Sequence, residues 1–189
     1  MTLPSLTIQL PEWIERFLPP DEILCPQIEE RMHLVIELSR RNIERQTGGP
    51  FAAAIFDRKG KLIAPGVNMV TSTNCSILHA EMVAIALAQK VMGHYDLSDG
   101  GREKYDLVST TEPCAMCLGA VPWSGVSRLI CAARDEDARK IGFDECSKPA
   151  DWPAELEKRG IVVVRDILRP EAVKVLKKYQ SCGGTIYNP

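Results

Sequence analysis

Four residues constrain this 189-residue chain more than anything else in it: His79 and Glu81 in HAE, and Cys114 and Cys117 in PCAMC. One imidazole and two thiolates make a tetrahedral zinc set that leaves a fourth position for water. Cys114 and Cys117 are three apart, so in a first helical turn both sulfurs project to the same side and reach one ion. Glu112 and Pro113 fix the entry to that turn, and the unsatisfied amides of a helix start favour thiolates. His79 and Glu81, two apart, would diverge in a helix interior. At a first turn both point past the helix end, which leaves Glu81 beside the metal without ligating it. The fold must therefore bring two helix starts, 35 residues apart, to one point.

The roles then divide: a metal brings the pKa of its water from 15.7 to roughly 7, and a neighbouring carboxylate moves the protons. H-x-E followed by P-C-x-x-C is the signature of zinc base deaminases. A thioredoxin-like pair would leave HAE unused, and a structural zinc knot ordinarily needs a fourth protein ligand. A non-catalytic zinc-stabilised interaction protein has no evident need for Glu81.

Periodicity places the surrounding elements. After Pro26, Ile28, Met32, Val35, Ile36, Ser39 and Ile43 trace one helical face, ended by Gly48, Gly49 and Pro50. Segments 51–57 (FAAAIFD) and 61–67 (KLIAPGV) read as a hairpin, with Pro65 favouring an edge strand. HAEMVAIALAQKVM, from His79, is apolar on nearly every face and predicts a helix buried on most sides. Strands are expected at 105–110, 126–133 and 161–164, with helices from Pro113 and over 170–179; after the strand at 126–133 comes the acidic and basic alternation RDEDARK, then a loop through Asp151. This order implies a sheet covered by helices on both faces, an α/β fold of three α/β/α layers.

Charge sets the amino-terminal segment apart. The first 30 residues carry a net −5 and the other 159 a net +3. The acidic lead, broken by Pro4, Pro11, Pro19, Pro20 and Pro26, reads as an extension (1–25) packed outside a main domain (26–189). A whole-chain charge of −2 gives no cationic field for nucleic acid or an anionic membrane. A local basic group of Arg128, Arg134, Arg139 and Lys140 is the exception to that average. The first residues have no basic n-region and apolar h-region, and no uncharged apolar run approaches the roughly 18 residues of a membrane span. Seven cysteines with one close pair suit cytoplasmic thiols and one metal site better than a disulfide framework.

HAE at 79–81 with TEPCAMC at 111–117 resembles the cytidine and deoxycytidylate deaminase superfamily. GGPF at 48–51, Asn68 in GVN, CLGAVPW and GFDE at 142–145 move the resemblance to its guanine deaminase branch, over roughly residues 28–187. The resemblance implies a central mixed sheet, zinc on His79, Cys114 and Cys117, and Glu81 as proton shuttle. It further implies that Phe51 stacks on a purine, that Asn68 and Glu145 hydrogen-bond its edge, and that Trp123 and Tyr187 belong to the substrate site. Glu145 stands where the family has an aspartate, and Ala52 where it has a glycine. An ionised carboxylate there would be an acceptor-only match for the N–H donors of guanine. A homodimer whose carboxy-terminal segments cross over, each Tyr187 closing the partner's pocket, is also implied. The implied partner is free guanine, with no nucleic acid or membrane; tRNA adenosine deaminases and nucleoside or nucleotide deaminases share the same machinery.

Overall fold

The computed structural model describes residue 3, residues 5–18 and residues 23–188. Pro4, Pro19, Pro20, Asp21 and Glu22 of the acidic lead lie outside the described residues. In chain order the elements are α1 (Glu12–Phe17), α2 (Ile28–Glu44), β1 (Ala52–Asp57), β2 (Leu62–Val67), α3 (Val70–Thr73), α4 (Ala80–Met92), β3 (Tyr105–Thr111), α5 (Ala115–Ser124), β4 (Arg128–Ala133), α6 (Asp135–Lys140), α7 (Trp152–Glu157), β5 (Val162–Val164) and α8 (Arg169–Ser181). The strands form one mixed sheet ordered β2-β1-β3-β4-β5. β1 pairs antiparallel with β2 and β3, while β3, β4 and β5 run parallel. Pro65 sits on β2, the edge strand, where its missing N–H costs no interior ladder bond.

Side-chain alternation splits the core between the two faces of the sheet. Ala52, Ala54, Phe56, Val108 and Ile130 pack with α2 and α8, through Met32, Val35, Leu176 and Tyr179. Ala53, Ile55, Leu107, Leu129 and Cys131 pack with α4, α5 and α7, through Ala84, Ala88, Val121, Trp152 and Leu156. A capping box of Gln27 and Glu30 starts α2, Gln27 N–H donating to Glu30 Oε2 at 3.0 Å. α4 presses unusually close on β2: a Cβ at Gly66 would lie 2.3 Å from Ala80 O and 2.6 Å from Ala84 N. Only glycine fits there.

Four short helices, α1, α3, α6 and α7, stand where periodicity places none. The charge alternation of RDEDARK is an α6 pairing pattern, in which Arg139 Nε meets Asp135 Oδ2 at 2.6 Å and Arg134 N–H donates to Asp137 at 2.9 Å. α7 buries Trp152 and Leu156 four residues apart. α1 puts Trp13 and Ile14 into the same apolar cluster as α2, and Trp13 Nε1 donates to Thr47 Oγ1 at 3.0 Å. Composition separates residues 1–25 from the rest, but packing ties α1 to the domain.

Asp106 joins the hairpin end of the sheet to α2. It is fully buried on β3 and pairs with Arg31, itself buried, and with Arg128, while Arg58 stands 3.4 Å away. Arg31 also donates to Cys25 O at 2.8 Å and Pro26 O at 3.1 Å, tying the chain entry down. Asp106→Ala leaves Arg31 as an uncompensated buried charge and is expected to remove about 3–5 kcal/mol of stability, read by urea unfolding. A loss below about 1 kcal/mol, the size of an exposed pair, would show that the cluster does not hold these elements together.

Candidate metal and purine site

The two helix starts meet. His79 is the N-cap residue of α4 and Cys114 that of α5, both with extended backbone, so each side chain looks past its helix end. Cys114 Sγ lies 3.5 Å and Cys117 Sγ 3.6 Å from His79 Nδ1. The three donor atoms all fall within 4.8 Å of one another. Glu81, buried in the first turn of α4, puts Oε2 3.5 Å from Cys117 Sγ and accepts at Oε1 from Ser109 Oγ at 3.2 Å.

The turn before Cys114 is fastened from three sides. Glu112 is buried; its Oε2 accepts from Asp135 N–H at 3.0 Å and its Oε1 from Arg165 Nε at 2.6 Å. Lys148 Nζ donates to Pro113 O at 2.7 Å while pairing with Asp135 at 2.6 Å. Ala115 N–H donates to Glu145 O at 3.1 Å, joining α5 to the Glu145 loop.

A cavity of about 450 Å³ opens against this cluster, its wall including Phe51, Asn68, Phe143, Glu145 and Tyr187 beside the motif residues. Phe51 meets the Phe143 ring edge-on at 4.9 Å, and Tyr187 meets Phe143 at 5.0 Å and His79 at 6.3 Å. Asn68 is buried. Its Oδ1 accepts from Val70 N–H at 3.3 Å and Gly49 N–H at 3.4 Å, while Nδ2 has no protein partner and remains a donor for a ligand. Gly49 is small for a reason: a Cβ there would stand 2.8 Å from Tyr187 Oη and 3.1 Å from Asn68 Oδ1.

Trp123 does not join the pocket. It is 84% exposed at the far end of α5, two turns beyond the cysteines, so one chain cannot present it to its own site. Tyr187 closes the pocket of its own chain rather than leaving it. The tail is held there by Tyr179 Oη donating to Thr185 O at 2.7 Å and by Asn188, whose Oδ1 accepts from Asp144 N–H and whose Nδ2 donates to Gly142 O, both at 2.8 Å. Asn188, Ser109 and Asn42 escape sequence reasoning. The signal available for Asn42 was a polar residue one turn on from Ser39 on the inward face of α2; it is buried and donates to Asn68 O at 2.9 Å.

Charge in the pocket follows from burial. A hydrogen bond from Cys117, opposed by burial, brings Cys114 down to about 4, so the sulfur pair carries one negative charge on Cys114 and a proton on Cys117. Burial works against protonated His79, but the Cys114 contact and nearby carboxylates outweigh it and raise its pKa. Burial, then the Cys114 charge, raises Glu81. The same causes bring Glu145 up to about 8, so without a cation it is a neutral acid at pH 7 and not the ionised acceptor expected from sequence. One imidazole and two thiols, with one thiol already ionised and an open side toward the cavity, fit zinc.

Residues 26–133 match the model of the cytidine and deoxycytidylate deaminase zinc-binding region. The chain is 40% identical over 122 residues to the guanine deaminase of Bacillus subtilis, covering 64% of this chain and 74% of that one. A solved structure of the guanine deaminase from Nitrosomonas europaea is 45% identical, covers 94% of this chain and 97% of its own, and superposes with a TM-score of 0.89. Similarity to the tRNA-specific adenosine deaminase of Rickettsia bellii is 38% over 87 residues, 46% of this chain and 57% of that one.

Elemental analysis of the purified protein is expected to find one zinc per chain. Cys114→Ala should lose the ion together with part of the thermal stability, because metal binding ties the starts of α4 and α5. A C114A protein with full zinc occupancy would remove Cys114 from the ligand set.

Proposed function

The chain belongs to the cytidine and deoxycytidylate deaminase family, and from that premise we propose that it is a zinc-dependent guanine deaminase, hydrolysing guanine to xanthine and ammonia. The observation that carries the reading is the lining of the pocket: the cavity beside His79, Cys114 and Cys117 is walled by two phenylalanines, the polar groups of Asn68 and Glu145 and the chain's own tail. Such a pocket suits a flat, free base. A nucleotide held in an RNA loop would have to enter past Tyr187 and Asn188.

His79, Cys114 and Cys117 would hold the zinc. Bound there, zinc brings the pKa of a water down to roughly 7 and so supplies the nucleophile at neutral pH. Glu81 handles the protons. It takes one from the water as the oxygen adds to C2 of the base, and delivers it to the adjoining ring nitrogen. A second transfer through the same carboxylate lets the 2-amino nitrogen leave as ammonia. Burial favours this work by raising Glu81 toward the working pH. Phe51, with the Phe143 ring packed edge-on against it, supplies the apolar wall on which the base can stack. Asn68 offers its unpartnered Nδ2 to the acceptors of the base, and the Glu145 carboxyl shares the same wall of the cavity as its second polar contact.

The assembly belongs to the same proposal. A homodimer with exchanged tails makes between two copies the contacts that the described chain makes within itself. Gly183, at φ +71°, and Gly184 form the joint at which the tail folds back or crosses over. A partner covering the exposed α5 face is also the way Trp123 reaches a purine site. A cytoplasmic setting is supported by seven free thiols among the described residues. No helix among those residues is long and apolar enough to cross a membrane.

Ammonia release from guanine, guanosine, adenine, cytosine, cytidine and a tRNA anticodon stem-loop tests the substrate; guanine is expected to lead, and a wild-type preference for cytidine or the stem-loop would reject the reading. Glu81→Gln at equal zinc content should retain the fold and lose about 10²- to 10⁴-fold in kcat; near-normal turnover would refute the proton role. A chain ending at Ser181 should stay folded by circular dichroism but lose most of its guanine turnover, whereas an active truncated enzyme would show that the tail does not complete the site. Glu145→Ala should lower kcat/KM for guanine with zinc intact, by more than Glu145→Gln, and an unchanged kcat/KM would remove Glu145 from base recognition.

A further inference from the structure

The face of the sheet beneath α4 and α5 is apolar around one serine. Ala53, Ile55, Leu107, Leu129 and Cys131 belong to the cluster on that face. Ser109 stands among them on the central strand, opposite Ala53 of β1 and Cys131 of β4, and is 2% exposed. A hydroxyl in that position has given up its water and needs an acceptor. The acceptor is Glu81 Oε1, 3.2 Å away. The other carboxylate oxygen, Oε2, faces Cys117 on the side of the ligand cluster.

We infer that Ser109 is a positioning residue, whose hydroxyl fixes the Glu81 carboxylate in the orientation from which it moves protons. The inference rests on the deaminase reading above. Ser109 is not part of the cavity wall, so it acts through Glu81 and not on the substrate. Its own place is rigid, because β3 is paired on both sides there. Glu81 reaches the ligand cluster from the first turn of α4 on an unbranched side chain, and the Ser109 hydroxyl meets it from the sheet. The Cys117 thiol donates to Glu81 only while it keeps its proton, and as a metal-ligating thiolate it has none to give. The donors that remain to the carboxylate are the Ser109 hydroxyl and the N–H of Glu81 itself. A bond of this kind beyond the ligands commonly carries one to two orders of magnitude in activity.

The test compares Ser109→Ala and Ser109→Thr with wild type at equal zinc content, on guanine or on whichever member of the panel the wild type turns over. S109A is expected to keep its zinc by elemental analysis, keep KM within about twofold and lose kcat by about 10- to 100-fold. S109T, which retains the hydroxyl, should recover most of that loss. In an E81A background the same S109A change should cost nothing further, whereas a packing role would cost the same fold in both backgrounds. A kcat for S109A within about twofold of wild type, a loss that tracks zinc content, or equal losses in the two backgrounds would overturn the assignment. A wild type that spares guanine but deaminates another base of the panel would sink the guanine reading, and the Ser109 comparison would then be decided on that base.

Discussion

Everything at the site depends on how close α4 can come to the sheet. The backbone of Ala80 and Ala84 lies against Gly66 of β2 with no room for a Cβ, and on β1 beneath the helix Ala53 presents only a methyl group. A larger side chain at Gly66 would have to push α4 outward. His79 and Glu81, at its first turn, would move with it, away from cysteines that are fixed independently. Those cysteines are held by another device: buried Glu112, its ion pair with Arg165 and the Lys148 grip on Pro113 O set the angle at which α5 leaves β3. The ligand set is thus the meeting point of an apolar contact and a polar clamp built in different parts of the chain, and neither alone would bring donor atoms within 4.8 Å.

That convergence gathers acids in a place that disfavours negative charge. Cys114, Cys117, Glu81 and Glu145 share one small apolar box, and burial lifts three of the four away from ionisation. The exception, Cys114, is ionised because its neighbours hydrogen-bond to it. Of the four, Glu145 is brought to about 8 and Glu81 is shifted in the same direction, which favours a group that must both take and give a proton. A divalent cation on the three ligands favours ionisation of every one of these groups. The carboxyl groups then differ by what holds them: Glu81 is gripped from the sheet by Ser109, while Glu145 sits on a loop whose neighbours, Gly142 and Asp144, are tied to Asn188 of the tail.

The elements with long periodic patterns were legible from sequence because one face of each meets one layer of the core. The helix over Ile28–Glu44, the hairpin with Pro65 on the outer strand and the buried helix after His79 all follow from that. So did the two motif starts, since the spacing of ligands leaves few ways to satisfy one ion. The short helices α1, α6 and α7 were not legible, because six residues give too little period to separate from a loop. The acidic lead misled through composition: its four acids say nothing of Trp13 and Ile14, which decide where α1 packs. Trp123 misled in the opposite way, because an aromatic near a motif suggests a contact that the direction of α5 rules out within one chain. Ser109 and Asn188 carry no local signature, and Asn42 only its place one turn on from Ser39 on the inward face of α2. Their partners are 28, about 45 and 26 residues distant, and only the assembled fold brings them together.

The tail shows why the pocket is able to be both closed and accessible. Residues 182–188 have no regular structure, and beyond the Tyr179–Thr185 bond their hold includes the Asn188 amide, Ile186 against the core cluster and the ring of Tyr187 against Phe143 and His79. Segments held by so few buried contacts open at a small fraction of the cost of global unfolding. The strong part of the wall, from Phe51 to Asn68, belongs to the sheet and α2 and stays in place when the tail leaves. In the guanine deaminase reading, Phe51, Asn68 and the ligand cluster form a half-site that belongs to the body of the domain, and Tyr187 with the loop that carries Glu145 would complete it. A purine that carries a ribose into the space occupied by Tyr187 and Asn188 would hold the tail off, leaving Glu145 unplaced and the pocket wet. Selection for a free base is in this way a consequence of closure, and needs no separate group that rejects the sugar.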